Sequence, residues 1–155
     1  MLSGMKPTLA ATLLLAGSLL LAGCQNDKTA AICKNKPEAL KTTNDAVTSL
    51  KIEDVKVGNG AEALPGKTVR VHYIGRLVDG KEFDTSCQEG RDAFEFTLGQ
   101  GQVIQGWDSG VLGMKVGGQR RLHIPAALAY GDRSPSTDIP ANSALIFDVE
   151  LVEVK

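Results

Sequence analysis

The stretch K-T-V-R-V-H-Y-I-G-R-L-V-D-G-K-E-F-D, residues 67–84, decides the fold. Val69, Val71 and Tyr73 fall on one side of an extended chain and Arg70, His72 and Ile74 on the other, the period of two of a strand with one buried face. Asp79-Gly80 follows, a dipeptide suited to the positive backbone angles of a tight hairpin, and Lys81 to Asp84 leads back as the next strand. The same period recurs outward. Ile52, Val55 and Val57 mark a short strand from Leu50 that stops at Gly58-Asn59-Gly60. Downstream, Phe94, Phe96 and Leu98 alternate with Glu95 and Thr97, Arg120 to Pro125 alternates through Leu122 and Ile124, and Ala144 to Val154 is almost continuously apolar. One segment changes period: in V-I-Q-G-W-D-S-G-V-L-G-M, residues 103–114, Val103, Ile104, Trp107, Val111 and Met114 recur at three- and four-residue spacing, which predicts a short amphipathic helix. An antiparallel sheet with one apolar face needs a cover, and this helix supplies it. The expected fold class is α+β, a five-stranded antiparallel sheet curled over one short helix in residues 50–155.

Composition excludes several functions. The chain has 155 residues, 43% of them apolar and 23% charged, with a net charge of -1. That is the balance of one ordinary domain without a basic face to neutralise phosphates, so nucleic acid is not an expected partner. Hydrolysis lacks its parts: the two histidines, His72 and His123, sit opposite the apolar face of their strands and are expected at the surface, and no serine or cysteine lies at a recognisable nucleophile elbow. Gly99, Gly101 and Gly106 have the wrong spacing and surroundings for a dinucleotide fingerprint. Gly106-x-x-x-Gly110 lacks the long apolar segment of a membrane helix pair. Without a C-x-x-C pair, redox and zinc motifs lack their usual spacing, so no metal or cofactor is expected. What stands out is an aromatic set of Tyr73, Phe83, Phe94, Phe96, Trp107, Tyr130 and Phe147, with Asp84 beside it. Rings alone would serve as the core of a small domain, but a carboxylate in an apolar strand needs solvent or a partner.

Residues 1–23 resemble a bacterial export signal: Lys6, then an uncharged stretch from Leu9 to Ala22 that is shorter than the ~20 residues of a spanning helix. Met5-Lys6 would itself make a conventional start. Leu21-Ala22-Gly23-Cys24 resembles a lipobox, which implies diacylation of Cys24 and a lipid anchor in the cell envelope. Gln25 after the cysteine resembles outer-membrane sorting, facing the periplasm. Residues 24–49 read as the lipidated cysteine and a flexible tether, with room for some helix between Pro37 and Val47. Cys33 and Cys87 then remain as an even pair in an oxidising compartment, bridged or free, because a sequence does not reveal the Cα separation a bridge requires.

The segments V-H-Y-I-G-R-L-V-D-G-K-E-F-D-T-S (71–86), V-I-Q-G-W-D-S-G-V-L-G-M-K-V-G (103–117), L-H-I-P-A-A-L-A-Y-G (122–131) and I-P-A-N-S-A-L-I-F-D-V-E-L (139–151) resemble, in order and spacing, the FKBP family of peptidyl-prolyl cis-trans isomerases. The resemblance covers residues 50–155 and implies a half-wrapped sheet with the substrate proline held in an apolar cleft over the helix. It implies Trp107 as the floor of the cleft, Val103 and Ile104 as its wall, and the Ile104 N–H as a donor to ligand. It implies Tyr73, Phe83 and Phe147 as aromatic walls and Phe94 and Ile139 as the rim. The implied catalytic groups are Asp84, held by Tyr73 and by an arginine for which Arg91 is the candidate, and Tyr130, whose hydroxyl would donate to a substrate carbonyl. Two departures bear on specificity: the loop between Asp84 and Phe94 is one residue longer than in compact relatives, and the loop from Tyr130 to Pro140 lacks a histidine and carries Asp138 where an apolar residue is common. They leave open the residue preference around proline and the affinity for macrolides such as rapamycin. The implied partners are proline-containing segments of exported proteins, macrolide inhibitors, and a membrane through the anchor, with the chain a monomer. The competing readings are a non-catalytic proline-peptide binding module or chaperone, and a surface-exposed interaction protein.

Overall fold

The alternating segments form strands where their period predicts them. In the computed structural model, which describes residues 30–155, these are β1 (Lys51–Lys56), β2 (Thr68–Leu77), β3 (Glu82–Thr85), β4 (Phe94–Thr97), β5 (Gln119–Ile124) and β6 (Leu145–Val154). The signal segment, Cys24 and Gln25 lie outside the described residues. All pairings are antiparallel, in the order β1-β5-β6-β2-β3, with β4 also on β2. The six segments marked in the sequence all form strands, so the count of five is corrected to six, and five is the number of rows. β2 is long enough to take two partners end to end: Ile74 to Arg76 pair with β3, and Thr68 to Val71 pair with β4. Residues 86–93 loop out between them, so six strands occupy five rows.

The helix α2 (Gln105–Val111) is shorter than the periodic segment. Val103 and Ile104 precede it in a loop, and Gly113, at φ +76°, turns the chain away after it. Its close approach to β5 depends on two glycines. A Cβ on Gly106 would lie 2.4 Å from the Ile124 side chain, and one on Gly110 would lie 2.7 Å from Leu122. The spacing that resembles a membrane dimer motif is therefore the packing edge of α2 against its own sheet. Val69, Val71, Leu98, Val111, Leu122, Leu145 and Leu151 fill the layer between.

The opposite face of the sheet is also covered, which the tether reading of residues 30–49 did not anticipate. A short helix α1 (Ala31–Lys34) and a 3-10 turn at Asn44–Ala46 belong to a strap across β2, β5 and β6. Ile32 packs with Ala30, Ile74 and Val152. The Glu150 carboxylate accepts the Ala31 and Ile32 N–H groups at 3.2 and 2.7 Å. Arg76 and Arg121 clasp the buried Asp148 carboxylate at 2.6 Å each and donate onward to the carbonyls of Pro37 and Glu38 at 3.2 and 2.9 Å. Cys33 and Cys87 are joined as a disulfide, with their Cα atoms 5.1 Å apart. Because polar contacts and one isoleucine hold the strap, its composition resembles that of a linker.

This second cover corrects the placement of both histidines. His72 is 1% exposed beneath the strap. His123 is largely buried, with Nε2 3.6 Å from Glu53. Conversely, the apolar rhythm of Ile52, Val55 and Val57 is exposed, Val57 by 74%, because it lies in or just beyond the outermost row.

Candidate functional site

Trp107 enters the front layer from the first turn of α2 and is 4% exposed. Tyr73 from β2 and Phe147 from β6 meet it edge-on, each with ring centroids 5.2 Å away. Phe94 and Phe96 from β4 lie at 6.0 and 5.7 Å. Phe83 from β3 reaches Phe147 at 5.6 Å. Perpendicular packing suits rings whose faces are electron-rich and whose edges are electron-poor. The cluster closes over Gly75, where a Cβ would stand 2.7 and 2.8 Å from the Phe147 and Phe83 rings. Glycine at this point of β2 is what allows two rings to meet across the strand. The indole Nε1 is buried with no partner among the described residues, a donor left over at the base of the cluster.

The polar side of the site is built around Asp84. Its Oδ2 accepts the Tyr73 hydroxyl at 2.5 Å, and its Oδ1 accepts Arg91 at 2.5 Å and the Thr85 N–H at 2.9 Å. Burial pushes this carboxyl upward, but the bonds from Tyr73 and Arg91, with the Arg91 charge and the Thr85 N–H, outweigh it and hold the pKa below its ordinary value. The same pair acts in reverse on the phenol: burial first, then the bond to Asp84 and its charge, push Tyr73 well above the usual tyrosine range. Arg91 also donates to the Thr85 carbonyl at 2.7 Å, which fixes the 86–93 loop back onto β3.

Tyr130 stands across from this pair, 39% exposed, after the 3-10 turn Ala126–Leu128. Burial and then the nearby Asp84 charge raise its pKa, so at neutral pH it keeps its proton as a donor. An open groove of roughly 750 Å³ runs between Tyr130 and the loop carrying Val103 and Ile104, with Arg133 and Pro135 at its outer end. The Ile104 N–H has no acceptor among the described residues, since the neighbouring bonds use only the Ile104 carbonyl. Phe94 is 41% exposed. Ile139 is instead buried, packed into the core below the 131–140 loop. Asp138 bonds Lys81 of the β2–β3 hairpin at 2.9 Å, tying that loop to the sheet. Tyr73, Phe83, Phe94, Trp107 and Phe147 are thus brought together as one ring cluster, with Asp84 bonded to Tyr73, whereas Ile139 is in the core and not at a rim.

Two positioning residues were missed. Asp108 accepts the Gly99 and Gly101 N–H groups at 3.0 and 3.1 Å, and Gln102 accepts the Thr97 N–H at 2.9 Å. Together they set the loop that presents Val103 and Ile104. An acidic residue in the first turn of a helix just after a glycine-rich loop is the signal that would have found Asp108.

The profile of the FKBP-type peptidyl-prolyl cis-trans isomerase family matches residues 60–152. The chain is 50% identical over 125 residues to FK506-binding protein 4 of Gibberella zeae, covering 77% of this chain and 25% of that protein. It is 52% identical over 118 residues to FK506-binding protein 4 of Dictyostelium discoideum, covering 74% and 32%. The chain therefore spans only a quarter to a third of the length of these relatives. The crystal structure of AtFKBP13 matches with a TM-score of 0.64 at 38% identity, over 77% of this chain and 100% of that one. FkpA from Escherichia coli matches with a TM-score of 0.62 at 42% identity, over 77% and 53%.

Proposed function

The chain belongs to the FKBP-type peptidyl-prolyl cis-trans isomerase family, and on that premise we propose that it accelerates rotation about X-Pro bonds in exported or envelope proteins by binding the twisted amide in the Trp107 cleft. The observation that carries the proposal is the pairing of a nearly dry aromatic cluster with one ionised carboxylate and one protonated tyrosine at its mouth.

The chemistry asks for little else. Partial double-bond character imposes a barrier of ~18–20 kcal/mol on the amide, and no covalent bond breaks as it turns. In the twisted state the amide loses resonance, its carbonyl becomes less polar, and it loses less on leaving water than either planar form does. A pocket of rings therefore binds the transition state better than the ground states, the condition for catalysis. An acceleration of ~10⁵ corresponds to about 7 kcal/mol. Desolvation in the aromatic cluster, shape, and donors at Tyr130 and the Ile104 N–H share that sum. Asp84 acts from the side: its bond to the Tyr73 hydroxyl holds that ring against Trp107.

The second reading, a module that grips proline segments without turnover, uses the same groove. Protease-coupled isomerisation of a proline tetrapeptide by the full chain separates the two. Turnover that rapamycin suppresses supports the enzyme. Peptide binding, read from the single tryptophan, without turnover supports the binding module. The envelope context rests on residues 1–25: palmitate labelling is expected in the producing bacterium and is expected to vanish in Cys24→Ser. Labelling that persists in that variant removes the anchor from the proposal.

A further inference from the structure

On the face of β2 opposite the cleft, the sulfurs of Cys33 and Cys87 and a ring nitrogen of His72 lie within 4.8 Å of one another. His72 is buried, and of its two ring nitrogens only Nδ1 has a hydrogen-bond partner among the described residues. Nδ1 is 3.0 Å from Ser86 Oγ, which also receives the Tyr73 N–H at 2.9 Å and stands 3.5 Å from the Tyr73 carbonyl. One arrangement satisfies all three contacts: Ser86 accepts from Tyr73 N–H and from His72 Nδ1–H, and donates its own proton to the carbonyl. Nε2 then carries a lone pair, and it is buried without a partner among the described residues. Buried polar atoms in native proteins are seldom left so.

We propose that reduction of the Cys33–Cys87 disulfide converts this place into a zinc site, with two thiolates and His72 Nε2 as protein ligands and water in the fourth position. Two cysteines and one histidine with an open position form a known zinc ligand set. The Ser86 bond to Nδ1 is the outer support that metal-bound imidazoles require. A cleft of roughly 240 Å³, lined also by Gln88, Glu89 and Arg91, leaves room for the water. The expectation of no metal rested on spacing along the chain, but Cys33 and Cys87, 54 residues apart, are brought together by the fold.

The step balances with a dithiol as reductant. Two electrons and two protons pass to the disulfide, the S–S bond breaks, two thiols form, and the dithiol closes its own disulfide. Zinc then replaces the two thiol protons, which leave to solvent. Either staple ties the strap to the loop that carries Arg91.

The test uses the full chain carrying Cys24→Ser, so that Cys33 and Cys87 are its only cysteines. It is reduced with excess dithiol, freed of it by anaerobic gel filtration, and titrated with Co²⁺ and then Zn²⁺. The expected result is one ion per reduced chain, thiolate-to-cobalt charge-transfer bands that zinc abolishes, no uptake by the disulfide form, and at least about tenfold weaker binding in His72→Gln. Because replacing a buried ring disturbs packing, the unsubstituted protein is also followed by histidine ¹⁵N NMR, where Nε2 of His72 is expected to shift on zinc binding while Nδ1 stays protonated. Failure of the reduced chain to bind zinc, equal uptake by the disulfide form, or an unmoved Nε2 resonance overturns the proposal.

Discussion

Asp84 has three donors on one carboxylate, and each comes from a different part of the chain: Tyr73 on β2, Thr85 beside it on β3, and Arg91 in the loop after β3. Asp84→Asn keeps the shape and removes the charge, so turnover is expected to fall about tenfold or more, ~1.4 kcal/mol in barrier, with an unchanged circular dichroism spectrum. The folded carboxyl titrates below its ordinary value. Its stabilising pairing is therefore complete above the unfolded carboxylate pKa of about 3.9 and is lost as pH falls through the lower folded value. The side chain is partly exposed, so solvent screening keeps this contribution small. A kcat/KM profile flat from neutrality down into the ordinary carboxylate range of about 3.9, declining only as pH falls below it, is the expected curve, and Asp84→Asn should remove the decline. Tyr130→Phe deletes one donor and is expected to cost ~0.5–1.5 kcal/mol in kcat/KM. At this scale the motifs placed Asp84 and Trp107 beside Tyr73, where the structure also has them. The sequence was misread at His72, because alternation shows that two faces differ without showing that both are covered.

Period placed β2, β4, β5, β6 and α2, which bury apolar side chains in the front layer, while β3 was read from the hairpin turn before it and β1 from an apolar rhythm that the fold leaves exposed. It could not show that β3 and β4 share one edge of β2, because that depends on a pairing register set by the loop between them. Nor could it place the strap, whose docking depends on partners far along the chain: Glu150 for its first N–H groups, Arg76 and Arg121 for its carbonyls. Two predictions belong to α2. Gly110→Ala forces a methyl group toward Leu122 and is expected to destabilise the fold by ~1–3 kcal/mol, read as a lower denaturant midpoint. Asp108→Ala frees the Gly99 and Gly101 N–H groups and loosens the wall that carries Ile104, so KM for proline peptides is expected to rise more than kcat falls.

The molecule is a sheet with two unlike covers. The front holds an apolar core and the cleft; the back holds a polar clasp and a disulfide. Closing a loop across a separation of 54 residues is worth up to about 4 kcal/mol by chain entropy. Cys33→Ser with Cys87→Ser is expected to lower unfolding stability by ~2–4 kcal/mol, read as a lower denaturant midpoint. The central claim is that the aromatic cleft itself lowers the rotation barrier. Exchange NMR on a proline peptide with a catalytic amount of the full chain measures that rotation without a coupling protease. The account predicts cis–trans exchange much faster with the parent chain than without it, and a return close to the uncatalysed rate with folded Trp107→Ala. Exchange that stays fast in Trp107→Ala would contradict it.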